Sequence, residues 1–179
     1  RVKRPMPEDI LADYDYVIVG GGTAGCLLAN RLSEDPDVTV ALLEAGGKDN
    51  YIWVHIPVGY LYCHGNPRVD WGFKTAQEPG LNGRSLNYPR GRVIGGCSSI
   101  NGMIYMRGQA RDYALWRQMG KPGWAWDDVL PYFLRPEDQL AMEPGTFDGL
   151  HERGGEWRIE NARVRWDILE AWAQAAEQA

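Results

Sequence analysis

The hydrophobic pattern opens with a compact apolar run, Tyr16-Val17-Ile18-Val19, which predicts a buried strand. Gly20-Gly21-Gly22 interrupts it, and Ala24, Leu27, Leu28 and Leu32 then recur at helical spacing, so strand passes into helix through a glycine turn. Asp35-Pro36 ends that helix, and Val38 to Leu43 predicts a second strand of β-branched and apolar residues. Between 51 and 88 the periodicity lapses. Trp53, Pro57, Gly59, Gly65, Pro67, Pro79 and Gly80 punctuate a long connection, of a kind more often functional than idle. A helix fits Ala110 to Met119, burying Tyr113, Leu115 and Trp116 and stopped by Gly120 and Pro122. The next begins at Trp126-Asp127-Asp128, with Ala125 where an oxygen-bearing cap is expected; its acids sit near the positive end, and Pro131 falls in its first turn. Residues 135 to 155 read as polar loop and Glu156 to Glu160 as a half-buried strand. Trp166, Leu169, Trp172 and Ala176 mark one face of a helix reaching the last residue.

The first unit carries chemistry as well as structure. In Gly20-x-Gly22-x-x-Gly25 the first glycine permits a tight turn, the second lets backbone N–H groups approach a pyrophosphate, and the third lets helix and strand pack closely. Glu44 arrives at the carboxyl end of the second strand, where an acid accepts hydrogen bonds from an adenosine ribose. A glycine turn serving packing alone leaves that placed acid unexplained. The order strand, glycines, helix, strand, acid therefore predicts a dinucleotide site in an α/β, Rossmann-like domain. Nicotinamide and flavin enzymes share this unit. Its position near the N-terminus favours FAD, and so does a second glycine-rich segment running from Pro89 to Met103.

Residues without side chains let a backbone come close to a flat ring, and Gly95 and Gly96 can do so here. Ser98, Ser99 and Asn101 can hydrogen-bond at the ring edge. A positive charge near flavin N1 favours the anionic reduced ring; Arg90 or Arg92 supplies it, or each pairs with an acid at the surface. At this segment the chain resembles the glucose–methanol–choline (GMC) oxidoreductases, FAD-dependent alcohol-oxidising flavoproteins. The resemblance rests on Asp15-Tyr16-x-Ile18-Val19 with the glycines, Leu43-Glu44-Ala45-Gly46, Asp70-Trp71, and Pro79-Gly80-Leu81-Asn82-Gly83-Arg84. It continues through Pro89-Arg90-Gly91-Arg92 to Asn101, then Tyr105-x-Arg107-Gly108, Asp112-Tyr113-x-x-Trp116 and Gly123-Trp124-x-Trp126-Asp127-Asp128-Val129-Leu130. Nearly the whole chain is covered, and the similarity is greatest to the bacterial choline dehydrogenase-like and alcohol dehydrogenase-like branch.

The resemblance implies the N-terminal part of a two-domain fold, an FAD-binding domain joined to a substrate domain. It divides the chain into a polar lead at 1–13, the FAD-binding part at 14–135 with a flavin-covering insertion at about 51–88, and a boundary loop with the first substrate-domain strand and helix at 136–179. The cofactor residues it implies are Gly20, Gly22, Thr23, Ala24, Gly25, Glu44, Ala45, Arg90, Gly91, Gly95, Gly96, Asn101, Gly102, Met103 and Ile104. Ile100 stands where some members carry a histidine tethered to FAD, so the flavin is expected to be non-covalent. Cys97 stands where many carry serine or another small residue; it reads as a small side chain beside the flavin rather than a redox thiol, because no second cysteine lies nearby in sequence.

Composition narrows the setting. A net charge of -5 gives no basic footprint for nucleic acid. Three scattered cysteines suggest neither a disulfide framework nor a metal site. No apolar run is long enough to span a membrane, and the first ten residues are too polar for a signal peptide, so the expected location is the cytoplasm or the periphery of the inner membrane. The eight tryptophans, several between 116 and 126, read as core packing rather than an aromatic cage. In the resembling family the base that takes the hydroxyl proton is a histidine far towards the C-terminus. His55, His64 and His151 do not match that region, so no catalytic residue is assigned within the chain. The expectation is the FAD-binding portion of an enzyme oxidising a primary alcohol to an aldehyde by hydride transfer to FAD, with the rest supplied by a missing segment or second chain. The alternatives are a non-catalytic partner or fragment of the same fold, and a family member with other flavin chemistry such as photodecarboxylation.

Overall fold

The computed structural model of the protein describes residues 13–178; the expected polar lead, apart from Asp13, and Ala179, to which the last helix was expected to reach, lie outside them. The chain forms two compact units, one ending at Ile104 and the other beginning at Tyr105. The expected boundary near 135 falls inside the second unit.

The first unit starts with β1 (Tyr16–Val19), α1 (Thr23–Leu32) and β2 (Val40–Leu43). The strands pair in parallel, Tyr16 opposite Val40 and Val19 opposite Leu43, with α1 as the crossover that parallel strands require. Thr39 fixes the register at the open end: its N–H and hydroxyl both donate to Asp15 Oδ2 at 2.8 Å, and Asp15 N–H donates back to Thr39 Oγ1 at 3.1 Å. The residues from 51 to 88 are not featureless. They hold three 3-10 turns at Ile52–His55, Pro57–Gly59 and Pro79–Leu81, the short α2 (Tyr60–Cys63), and a small antiparallel hairpin of β3 (Phe73–Lys74) and β4 (Asn87–Tyr88). The core of this unit is Cys63, Val69, Val93 and Ile100, with Tyr51, Trp53 and Val54 packed against it. It therefore joins the irregular connection to the second glycine-rich segment.

The second unit contains α3 (Ala110–Gln118), α4 (Trp126–Leu134), β5 (Glu137–Gln139), β6 (Trp157–Ile159) and α5 (Asp167–Gln178). The first two helices share one capping device: Asp112 Oδ2 accepts the Gln109 N–H at 2.8 Å and Asp128 Oδ2 accepts the Ala125 N–H at 2.9 Å. The acid three residues into each helix thus supplies the half of a capping box that needs no side-chain oxygen at 125. Pro131 lies inside α4, past its first turn, contrary to expectation. The rings of 113–133 cluster, Tyr113 meeting Trp116, Trp126 and Phe133 with ring centroids 5.6, 5.5 and 5.9 Å apart, but Leu115, Trp116 and Trp124 remain about half exposed, contrary to the expectation of core positions. Within the stretch expected to be loop, β5 pairs in parallel with β6.

The Glu137 side chain at the head of β5 has 0% exposure. It takes an ion pair from Arg107, a 2.8 Å contact with His151 Nδ1 and the Glu152 N–H at 3.3 Å. Removing one partner of a buried pair strands the other charge, at a cost of about 3–5 kcal/mol. Glu137→Ala should therefore lower unfolding stability by about that much in a urea titration, while Arg107→Met combined with Glu137→Leu should lose clearly less. Equal losses would mean that burial of the pair is not what matters.

Candidate functional site

The two glycine-rich segments meet backbone to backbone. Gly95 N–H donates to the Gly21 carbonyl at 2.7 Å, and the hydroxyls of Thr23 and Ser98 lie 2.5 Å apart. A Cβ on Gly96 would stand 2.7 Å from Gly22 Cα, and one on Gly91 would stand 2.1 Å from the Gly96 carbonyl oxygen. The first would drive the two segments apart, and the second would open the fold of the second segment on itself. Gly20 makes the turn with φ +99, and a Cβ on Gly25 would fall 1.9 Å from the Gly20 carbonyl oxygen, so the third glycine closes α1 onto the turn. Gly22 differs: a Cβ there would meet only Gly96 Cα, at 4.0 Å. Its free side leaves room for a ligand to reach the backbone.

Glu44 leaves the end of β2 and braces this arrangement. Its Oε2 accepts the Gly21 N–H and its Oε1 the Gly46 N–H, each at 2.7 Å. Each carboxylate oxygen keeps a lone pair for a further donor such as a ribose hydroxyl. The sequence reading gave Glu44 only the second of these tasks.

Gly20, Gly22, Thr23, Ala24, Gly25, Glu44, Ala45, Arg90, Gly91 and Gly96 come together around one cavity of about 940 Å³. Val19, Leu43, Trp71, Phe73 and Cys97 also line it, and the sequence reading assigned none of them to cofactor binding except Cys97, which it placed beside the flavin. The signal for the two rings is the alternation Asp70-Trp71-Gly72-Phe73, which places them on one face. They lie parallel, with centroids 5.8 Å apart. Gly95 stands behind the wall, against Ser99. Asn101, Gly102, Met103 and Ile104 are not brought into the lining. The reason is local: Asn101 Oδ1 turns back to accept the Met103 N–H at 3.0 Å, a side-chain turn that leaves Met103 with φ 57 and Ile104 exposed. Of the two arginines only Arg90 lines the cavity; its guanidinium lies 4.0 Å over the Tyr88 ring, and that of Arg92 lies 5.4 Å over Trp71.

The histidines are engaged elsewhere. His55 Nε2 contacts the Asp49 carbonyl at 2.5 Å, His64 Nε2 contacts the Ile100 carbonyl at 2.8 Å, and His151 joins Glu137. Burial pushes the Cys63 thiol up, as befits an inert core cysteine.

Asp70, quoted above only as part of the resemblance and given no role there, is a further buried acid. It accepts N–H groups from Gly65 at 2.6 Å and from Gly72 and Arg90 at 3.0 Å. Burial pushes its carboxyl up, but the N–H groups of Gly72, Gly65 and Arg90, with the His64 charge, outweigh that and hold it below the ordinary carboxylate value. A depressed folded value gives stability that is complete above the unfolded pKa of about 3.9 and is lost as pH falls through the folded value. The stability gap between the parent and Asp70→Asn should accordingly narrow as pH drops from 5 towards 2; a gap independent of pH would mean that folding does not depress the carboxyl pKa.

The glycine contacts give a second expectation. Gly96→Ala should cost about 1–3 kcal/mol by overpacking, whereas Gly102→Ala, in open space, should change stability by less than about 0.5 kcal/mol. Thermal unfolding of the two variants compares them directly.

A family profile described as GMC oxidoreductase matches residues 14–178. The chain is 42% identical over 165 residues to an oxygen-dependent choline dehydrogenase from Sinorhizobium fredii (strain NBRC 101917 / NGR234), covering 92% of this chain and 29% of that protein. It is 39% identical over 166 residues to an alcohol dehydrogenase [acceptor] from Pseudomonas putida, covering 93% and 30%. Among solved structures, pyridoxine 4-oxidase from Mesorbium loti superposes with a TM-score of 0.83 at 39% identity, over 93% of this chain and 32% of that one. The chain thus spans less than a third of the length of these relatives. The match bears out the expected FAD-binding α/β fold.

Proposed function

The chain belongs to the GMC oxidoreductase family, and from that premise we propose that it is the N-terminal, FAD-binding portion of a flavin-dependent alcohol dehydrogenase or oxidase that converts a primary alcohol to an aldehyde. The observation that carries this reading is the joint cradle, two glycine segments locked together beside a carboxylate.

The residues fit FAD chemically. The first turn of α1 holds no acid, and its N–H groups lack partners within the helix, which suits a diphosphate. Gly22 leaves the backbone open on that side. The remaining lone pairs of Glu44 suit the ribose hydroxyls. Trp71 and Phe73 offer flat apolar surface, and Arg90 offers positive charge. Bound FAD supplies a two-electron acceptor for the hydride of the alcohol. Ile100 is 3% exposed and has no nucleophile, which supports non-covalent binding at this position.

The proton acceptor comes from outside residues 13–178, since all three histidines are already engaged. Exposed apolar surface supports a missing remainder. Parallel sheets are normally covered on both faces, yet Val17 of β1, which does not line the cavity, is 57% exposed. The names of the relatives support an alcohol as substrate. No helix among the described residues is long and apolar enough to cross a membrane, and the cytoplasm remains the proposed location.

Glu44→Ala removes charge-assisted hydrogen bonds worth about 1.5–3 kcal/mol each, so FAD should be held roughly 10- to 100-fold more weakly. Equilibrium dialysis measures this, and unchanged retention removes the ribose role. Acid precipitation of the yellow protein should leave a colourless pellet. Residues 1–179 alone, supplied with FAD, should turn over no alcohol, and the longer protein should bleach its flavin anaerobically when alcohol is added. Steady turnover by the short chain would overturn the assignment of the base.

A further inference from the structure

Residues 69–71 and 90–92 run antiparallel: Arg92 N–H donates to the Val69 carbonyl at 2.7 Å, Trp71 N–H donates to the Arg90 carbonyl at 2.9 Å, and Asp70 pairs with Gly91. The Asp70 side chain straddles this ladder. Its Oδ1 takes the N–H groups of Gly72 and Arg90, and its Oδ2 takes that of Gly65. One buried group thereby fixes three stretches of backbone: the loop after α2, the residue between Trp71 and Phe73, and the start of the second glycine-rich segment. Packing holds the two rings only weakly, for Trp71 and Phe73 remain 45% and 51% exposed. Their placement depends on the backbone that carries them. We propose that Asp70 is a positioning residue of the cofactor cavity, its carboxylate setting the spacing between the Trp71–Phe73 wall and the Arg90–Gly91 wall so that the flavin nucleotide fits between them.

This inference rests on the FAD reading above. Three N–H groups point at the side chain, so all its contacts must be acceptors. Asparagine has one acceptor oxygen, and either orientation of its amide sets an NH2 group against at least one backbone N–H. A buried mismatch of that kind costs about as much as a lost charge-assisted hydrogen bond, or roughly a tenfold change in an equilibrium constant.

The test uses the FAD-loaded protein and reads the FAD dissociation constant and the flavin absorbance spectrum, with far-UV circular dichroism as the check on fold. Asp70→Asn should stay folded, bind FAD roughly tenfold or more weakly, and show a flavin spectrum moved towards that of free FAD. Trp71→Ala should weaken binding in the parent but add much less in the Asp70→Asn background, because the two act through one wall. If Asp70→Asn does not fold, Asp70→Ser, which leaves room for a water among the N–H groups, is measured the same way. A folded variant with parental affinity and spectrum overturns the proposal, and so does full additivity with Trp71→Ala. Loss of fold in both Asp70 variants also overturns it, since the carboxylate would then hold the domain rather than the site. A parent that takes up no FAD defeats the FAD reading itself, whereas a parent that binds FAD beside an indifferent Asp70→Asn defeats only this one.

Discussion

Direct contact between two stretches of main chain, Gly21-Gly22 and Gly95-Gly96, is the constraint on which the cofactor site depends. The Thr23–Ser98 pair that accompanies it is separated by 75 positions, so the loop between must be folded for the contact to exist. Closing so long a loop has an entropic cost that the contact alone, two hydrogen bonds and a van der Waals approach, does little to offset. The small core of Cys63, Val69, Val93 and Ile100 supplies the rest. Its members come from the irregular connection and from the second glycine-rich segment. Burying them therefore delivers Gly96 to Gly22.

The same dependence explains why charged groups sit inside the connection. A segment without regular strands or helices has backbone N–H groups that no ladder satisfies, and each needs an acceptor. Asp70 answers three of them, and Asn66 Oδ1 answers another at Arg68, at 3.1 Å. In the second unit Glu137 answers Glu152 as well as Arg107 and His151. Carboxylates here replace secondary structure as the means of satisfying buried main chain.

This division marks how far the sequence could be read. β1, α1 and β2 were legible because their signals are local: an apolar run, a helical stripe, and glycines at fixed offsets ending in an acid. α3 and α4 were legible for the same reason, to within a residue or two. The roles of Asp70 and Glu137 were not, since each has a partner far away, Arg90 lying 20 positions off and Arg107 lying 30. Glu44 was read for its ligand and not for its brace, because the brace depends on where the Gly21 and Gly46 N–H groups point. Asn101 misled for the opposite reason: its residue type suits a ring edge, but the turn it makes with Met103 takes its oxygen first.

A site made largely of main chain separates grip from chemistry. Backbone N–H groups, carbonyls and missing Cβ atoms recognise the shape and charge that any flavin dinucleotide shares, and they say nothing about what the flavin acts on. The lining side chains follow the same rule: Glu44, Trp71, Phe73 and Arg90 offer charge and flat surface, and no histidine stands among the described lining residues. Nothing among these lining residues favours one substrate over another. The bare faces of β1, and of α5 where Trp172 is 77% exposed, are surfaces of the kind that further chain covers. Changes in such covering chain can leave the cradle as it is, because the contacts that shape the cradle lie between Gly20 and Ser98.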